Sequence, residues 1–189
     1  GRLNTATDPI NMDPPRLPGG LRVEALSAEQ TLEAMLEAGE LDALMSLYIP
    51  VSFEAGKPWI RRLFANYKQV EQESYRRTRI FPIMHTVVVR QGVYDAHPWV
   101  APAMYKAFCQ ARDVAVNGLY DTDALRLALP WLIDHVEEAR RVFGDDFWSY
   151  GLEPNRPTWQ AIGRYVAEQG LSPRVVEPDE LFAPNAEGA

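Results

Sequence analysis

One histidine, a cluster of arginines and an apolar run stand close together in this chain, and between them they hold its clearest chemistry. Arg76, Arg77 and Arg79 lead into Ile80-Phe81-Pro82-Ile83-Met84-His85, which continues as Thr86-Val87-Val88-Val89-Arg90. The planar donors of a guanidinium match a carboxylate bidentately, so one or two of these arginines turned inward would clamp a carboxylate. Imidazole titrates near neutral pH and serves as acid or base when it faces a cleft with a charged neighbour. Each residue also has a plainer reading. A charge run is commonly a solvated face, and a lone histidine on an apolar strand is commonly a satisfied buried side chain.

The other chemical candidates are weaker. His97 and His135 make no HxH or HExxH spacing with His85, so no local zinc site is expected, nor any other metal or cofactor. Cys109 is the single cysteine, which excludes an internal disulfide and a CxxC site, and beside Phe108 it reads as core filling. Asp145-Asp146 resembles an acid/base pair, but Gly144-Asp145-Asp146 is better read as a helix stop and turn. Trp148 and Tyr150 either cover the core or line a pocket. No GxGxxG, P-loop or GxSxG occurs, which removes the nucleotide-binding and hydrolase readings that such motifs support.

The elements that must position these residues follow from the pattern. The chain has 189 residues, 47% hydrophobic and 24% charged, enough for one sizeable core or two small lobes. Its net charge of −7 argues against a general binder of nucleic acid or anionic membrane. No apolar run is long enough to span a bilayer. No apolar leader is visible at the N-terminus, so a cytoplasmic protein is expected, or a periplasmic one should a signal peptide precede this sequence. Residues 1–20, rich in proline and glycine, read as a linker or loop. Leu21 to Leu26 alternates as a half-buried strand does. Ser27 and Gln30 form a capping box for a helix carrying Leu32, Met35 and Leu36, which Gly39 ends. Glu40 to Tyr48 reads as a buried strand stopped by Pro50, completing a βαβ unit. Trp59 to Phe64 fits a short strand or a helical turn, and Tyr67 to Tyr75 reads as a weak helix. The stretch from Ile80 to Arg90 is expected to be a strand with Ile83, His85, Val87 and Val89 on one face. Three helices follow. Met104, Phe108, Ala111, Ala115 and Leu119 mark the first, and Leu132, Val136, Ala139 and Phe143 the second, closed by Gly144. Trp159, Ile162 and Val166 mark the third, opened at Pro154 to Pro157 and closed by Gly170. Val175 to Pro184 reads as a strand or an extended return.

Several blocks together resemble the 4,5-dihydroxyphthalate decarboxylase family. They include Leu36-Glu37-Ala38-Gly39-Glu40-Leu41-Asp42-Ala43-Leu44, Ile80-Phe81-Pro82-Ile83-Met84-His85, His97-Pro98-Trp99, Leu129-Pro130-Trp131 and Glu168-Gln169-Gly170-Leu171. The most specific is Gly144-Asp145-Asp146-Phe147-Trp148-Ser149-Tyr150-Gly151-Leu152-Glu153-Pro154-Asn155-Arg156. The resemblance implies an α/β fold like that of type II periplasmic solute-binding proteins, with two α/β lobes joined by a hinge crossover and the ligand between them. Family members are longer at the N-terminus, so it also implies that the first lobe is largely absent here. Residues 21–79 would be the second lobe, 80–92 the hinge crossover strand, and 93–189 a helical part packing on the first lobe and the hinge.

The implied activity is decarboxylation of 4,5-dihydroxyphthalate, or of a related aromatic dicarboxylate, to a dihydroxybenzoate. The alternative is a non-catalytic solute-binding protein for a small carboxylate or heterocycle. On the first reading His85 is the acid/base. Arg77 and Arg79 hold the substrate carboxylate, with Tyr75, Thr78, Pro82, Ser46 and Tyr48 beside it. The implied partner is the small aromatic carboxylate, with neither nucleic acid nor membrane, and a homo-oligomer is compatible with the sequence. Two departures from the family pattern stand out. Arg79 occupies a position where the family prefers glycine, and Ser46-Leu47-Tyr48 lacks an arginine that the family tends to carry there.

Overall fold

The computed structural model describes residues 24–186. The expected linker at 1–20 and the first half of the expected strand at 21–26 lie outside them. Among the described residues there are eight α-helices, one 3-10 turn and no strand. The expectation of two α/β lobes joined by a crossover strand is therefore overturned. Residues 40–48 and 80–90 contain no helix and no ladder: their apolar residues suit a strand, but a strand also needs a neighbour that takes its N–H and C=O groups. The tail, expected as a strand or an extended return, contains no strand: residues 175–177 are irregular and lead into a short helix.

The chain divides into two compact units, the first Gly1–Tyr67 with Gln169–Leu171 and the second Lys68–Glu168 with Ser172–Ala189. In the first unit α1 spans Leu32–Ala38 and α2 spans Val51–Glu54. Thr31 caps α1, accepting the Ala34 N–H at 3.1 Å, and Gly39 ends it at φ 76°. Ser27 and Gln30 do pair, the Ser27 N–H reaching Gln30 Oε1 at 3.0 Å, but they close a turn just before the helix. Pro50 precedes α2 and offers its first turn no side-chain cap. Glu33 of α1 supplies one from a distance. It is 7% exposed, and its Oε1 accepts the Ser52 N–H at 2.9 Å, placing a carboxylate at the positive end of α2.

The second unit holds α3 (Tyr67–Thr78), α4 (Gln91–Ala96), α5 (Val100–Asn117), the 3-10 turn Gly118–Tyr120, α6 (Leu132–Phe143), α7 (Leu152–Glu168) and α8 (Pro178–Leu181). The three long helices expected after residue 98 are thus α5, α6 and α7. Gly144 ends α6 at φ 94°. Helix α7 starts ahead of its prolines, with Pro157 inside it. Pro154 stands in the first turn, where an N–H has no partner within the helix, whereas Pro157, further in, forfeits the bond that an N–H there would make to the Glu153 carbonyl. Among the described residues the buried apolar side chains Val136, Val142, Leu152 and Ala161 lie on α6 and α7, and Pro178, fully buried, opens α8.

Helix α7 carries small residues where other backbone comes close. A Cβ added to Gly163 would lie 2.6 Å from the Val176 carbonyl oxygen. The chain that lies there is held by ion pairs. Arg156 bridges Glu153 on its own helix and Asp179 on α8, the latter at 2.7 Å, and both carboxyls are held below their usual range by that guanidinium. Arg174 meets Glu180 at 2.6 Å, and Glu180 also accepts the Glu177 N–H at 3.0 Å. These two contacts draw the Glu180 carboxyl from an ordinary 4.5 down to about 2, Arg174 contributing most.

Two measurements check this packing. Gly163→Ala should gain about 1 kcal/mol of helix propensity but lose about 1–3 kcal/mol to the clash with fixed backbone, so its melting temperature should fall; a rise would mean that α7 stands off from Val176. Glu180→Gln should be less stable than the parent at neutral pH. A carboxyl depressed on folding stabilises fully above its unfolded pKa and loses that contribution as pH falls, so the gap between the two proteins should close between about pH 4.5 and 2. A gap that stays constant through that range would exclude the pair as its source.

Candidate active site

Helix α3 ends on a turn that sets the geometry of the candidate residues. The Thr78 hydroxyl donates to the Ser74 carbonyl at 2.8 Å and accepts the Ile80 N–H at 3.2 Å. The Arg79 N–H reaches the Tyr75 carbonyl at 2.7 Å, and Arg79 itself adopts φ 58°. A left-handed residue just past a helix is a common way to stop it, ordinarily with glycine because a Cβ is strained there. The turn sends the chain out extended through Ile80 to Arg90.

An aromatic cluster fixes the start of that segment. Tyr75 packs on Phe143 with ring centroids 4.3 Å apart, Phe81 on Phe143 at 5.1 Å, and Phe81 on Trp148 at 6.0 Å. The Arg79 guanidinium lies 5.4 Å from the centre of the Tyr75 ring, a cation–π distance. Arg77 and Arg79 are exposed and have no carboxylate partner among the described residues. Arg112, Arg140, Arg156, Arg164 and Arg174 are all engaged with carboxylates. His85 lies four residues beyond Phe81, exposed, with no hydrogen bond or ion pair among the described residues, and so it is not the buried histidine of the plainer reading. Pro82 is also exposed. The second unit therefore places Tyr75, Thr78, Arg79 and Phe81 around one turn, with Arg77 on the last turn of α3 and His85 further out. Thr78 has its one donor committed to Ser74. Ser46 and Tyr48 belong to the first unit, where the Tyr48 N–H is held by Ser46 Oγ at 3.0 Å.

A cavity of about 470 Å³ lies elsewhere in the second unit and is lined by Arg112, Asn117, Arg140, Asp145, Asp146 and Trp148 among others. Its guanidiniums are satisfied. Arg112 meets Asp113 at 2.8 Å and Asp146 at 3.3 Å, and stacks on Tyr150 at 5.3 Å. Burial works to lower the Arg112 pKa, but these carboxylates together raise it. Arg140 donates to the Tyr120 hydroxyl at 3.2 Å and lies 3.8 Å from Asp145. A carboxylate entering here would meet more aspartates than arginines, whereas Arg77 and Arg79 face no such competition. Among the described residues no cluster of histidine, cysteine and carboxylate side chains is arranged to hold a metal ion, and no helix is long and apolar enough to cross a membrane.

No family model matches the chain. Among curated proteins it is similar to the 4,5-dihydroxyphthalate decarboxylase of Comamonas testosteroni, with 37% identity over 172 residues, which cover 89% of this chain and 51% of that protein. The chain is a relative of that decarboxylase. It spans about half the length of the curated relative it matches. The resemblance read from the sequence blocks is borne out by this relationship.

The positive φ at Arg79 accounts for the glycine that the resemblance leads one to expect there: the turn needs a left-handed residue, and this chain meets that need with arginine. Residues that sequence reasoning passed over are Phe81, Phe143 and Thr158, which hold the segment in place. Their signal is tertiary, since each meets a partner far along the chain. Substitution separates the backbone requirement from the side chain. Arg79→Gly relieves a left-handed cost of about 1 kcal/mol and forfeits about 0.5–1 kcal/mol of cation–π contact, a near-neutral exchange. Arg79→Val forfeits the same contact and puts a β-branched residue at positive φ. The glycine variant should therefore be the more stable of the two by about 1–2 kcal/mol in denaturant unfolding; equal stabilities would show that this turn is not left-handed.

Proposed function

We propose that this chain takes part in the decarboxylation of 4,5-dihydroxyphthalate or a related aromatic dicarboxylate, releasing carbon dioxide and leaving a dihydroxybenzoate. The observation that carries the reading is the 37% identity over 172 residues to a 4,5-dihydroxyphthalate decarboxylase. The unpaired state of Arg77 and Arg79 supports it, because a substrate carboxylate can take these guanidiniums without displacing a protein carboxylate.

The chemistry sets three tasks. The carboxylate that stays must be held, and Arg79 and Arg77 do this. A proton must leave the ring hydroxyl para to the departing carboxylate, which pushes electron density into the ring. A proton must also reach the ring carbon that bears that carboxylate, so that the carbon–carbon bond breaks with its electron pair returning to the ring as carbon dioxide departs. His85 is the acid/base, since imidazole both accepts and donates a proton. Tyr75 flanks the clamp through its ring beneath Arg79. Ser46 and Tyr48 are assigned to substrate contact on the resemblance alone.

His85→Gln tests the assignment cleanly, because the side chain is exposed and supports nothing else. Release of carbon dioxide from 4,5-dihydroxyphthalate should fall by about 100-fold or more, with the melting temperature unchanged. Turnover equal to that of the parent chain would remove His85 from the mechanism.

A further inference from the structure

The extended segment that carries the candidate residues is held at Phe81 by hydrogen bonds from a helix side chain. Thr158 lies on α7 and is 3% exposed. Its Oγ1 accepts the Phe81 N–H at 3.2 Å and donates to the Phe81 carbonyl at 3.2 Å. One hydroxyl can do both, having one donor and two lone pairs. A threonine inside a helix would otherwise return its donor to a carbonyl of the preceding turn. Here it does for Phe81 what a neighbouring strand would do, satisfying both polar groups of one extended residue.

The arrangement also sets the register. A slip of one residue in one direction would bring Pro82 to the hydroxyl, and proline has no N–H to give. A slip in the other direction would bring Ile80, whose N–H is already held by Thr78 Oγ1 at 3.2 Å. Phe81 alone of the three can meet both halves of the hydroxyl, and its ring is seated between Phe143 and Trp148. Arg79 stands two residues before this point and His85 four after it, about 7 Å and 13 Å along extended chain.

We propose that Thr158 is a positioning residue: by holding both backbone groups of Phe81 it sets the point and direction from which the chain leaves the Arg79 turn toward His85. The inference rests on the function proposed above for its catalytic consequence, but the fastening itself is independent of that function.

Amide hydrogen exchange on the intact chain tests the fastening directly. The Phe81 amide should be protected while the amides from Ile83 to Val88 exchange freely; a Phe81 amide as fast as that of Val88 would overturn the proposal without any variant being made. Thr158→Val keeps the shape and removes the hydroxyl, and should speed Phe81 exchange by about tenfold or more with α5 amides unchanged. Thr158→Ser keeps the hydroxyl and should restore protection. Equal acceleration throughout α5 would show general loosening and count against the proposal. In turnover of 4,5-dihydroxyphthalate, Thr158→Val should lower kcat by about tenfold and Thr158→Ser should recover it. Loss of Phe81 protection with kcat unchanged would overturn the catalytic half. If the unsubstituted chain shows no turnover, the proposed function fails, and the exchange pattern still decides whether Thr158 fastens the segment.

Discussion

Close approach of backbone to helix α7 is the constraint on which the second unit depends. Beyond Leu152 its buried positions, Thr158, Ala161 and Gly163, are small, so two unrelated pieces of chain come against the helix at van der Waals or hydrogen-bonding distance. Val176 passes at Gly163, where no side chain fits. Phe81 passes at Thr158, where a short side chain fits and a hydroxyl is needed. A larger residue at either place would push away chain that has no other regular partner. The arginine bridges at Asp179 and Glu180 close the path beyond Val176, but they are exposed and contribute modestly. Steric fit is what seats that piece of chain.

Much of the helical part could be read from spacing. The periodic apolar residues located α5, α6 and α7, and Gly39 and Gly144 marked ends that the structure places at positive φ. These signals are local, and local signals survive translation into structure. The apolar stretches at 40–48 and 80–90 were legible only in part. A run of apolar and β-prone residues suits an extended backbone, but pairing depends on a second segment that no window of sequence contains. The reading of two α/β lobes rested on that missing partner. Ser27 and Gln30 show the same limit on a smaller scale: their side-chain bond forms, yet the helix starts later, because Thr31 offers a better cap at its first turn. Thr158 could not have been singled out at all, since nothing in Pro157-Thr158-Trp159 points to a residue 77 positions away.

Charge pairing separates the arginines of the cavity from those at the end of α3, although Arg77 and Arg79 share their lack of a carboxylate partner with other described arginines such as Arg61, Arg76 and Arg90. Where a guanidinium already has carboxylates, as Arg112 has Asp113 and Asp146, an incoming anion gains little and displaces something. Arg77 and Arg79 sit at the C-terminal end of α3, where positive charge is favoured by the helix dipole and needs no acidic partner to be tolerated. The backbone is what makes Arg79 unusual. A glycine in its place would give the same turn with no cation above Tyr75, so this chain combines in one residue a stop signal and a charge that are ordinarily separate. Kinship with the decarboxylase was carried by whole blocks of sequence, while the conformational meaning of Arg79 became visible only in three dimensions.

The extended segment beyond Phe81 has a consequence for how the protein behaves in concentrated solution. Ile83, Met84, Thr86, Val87, Val88 and Val89 form a β-prone window without an acidic residue, and Val88 is 89% exposed. Such windows are the seeds of intermolecular cross-β stacking. Pro82 on one side and Arg90 on the other are its gatekeepers: the first cannot donate to a growing ladder, and the second would place like charges in register at every layer. The residues that bracket His85 thus serve colloidal stability, holding apart copies of a segment whose own side chains would draw them together.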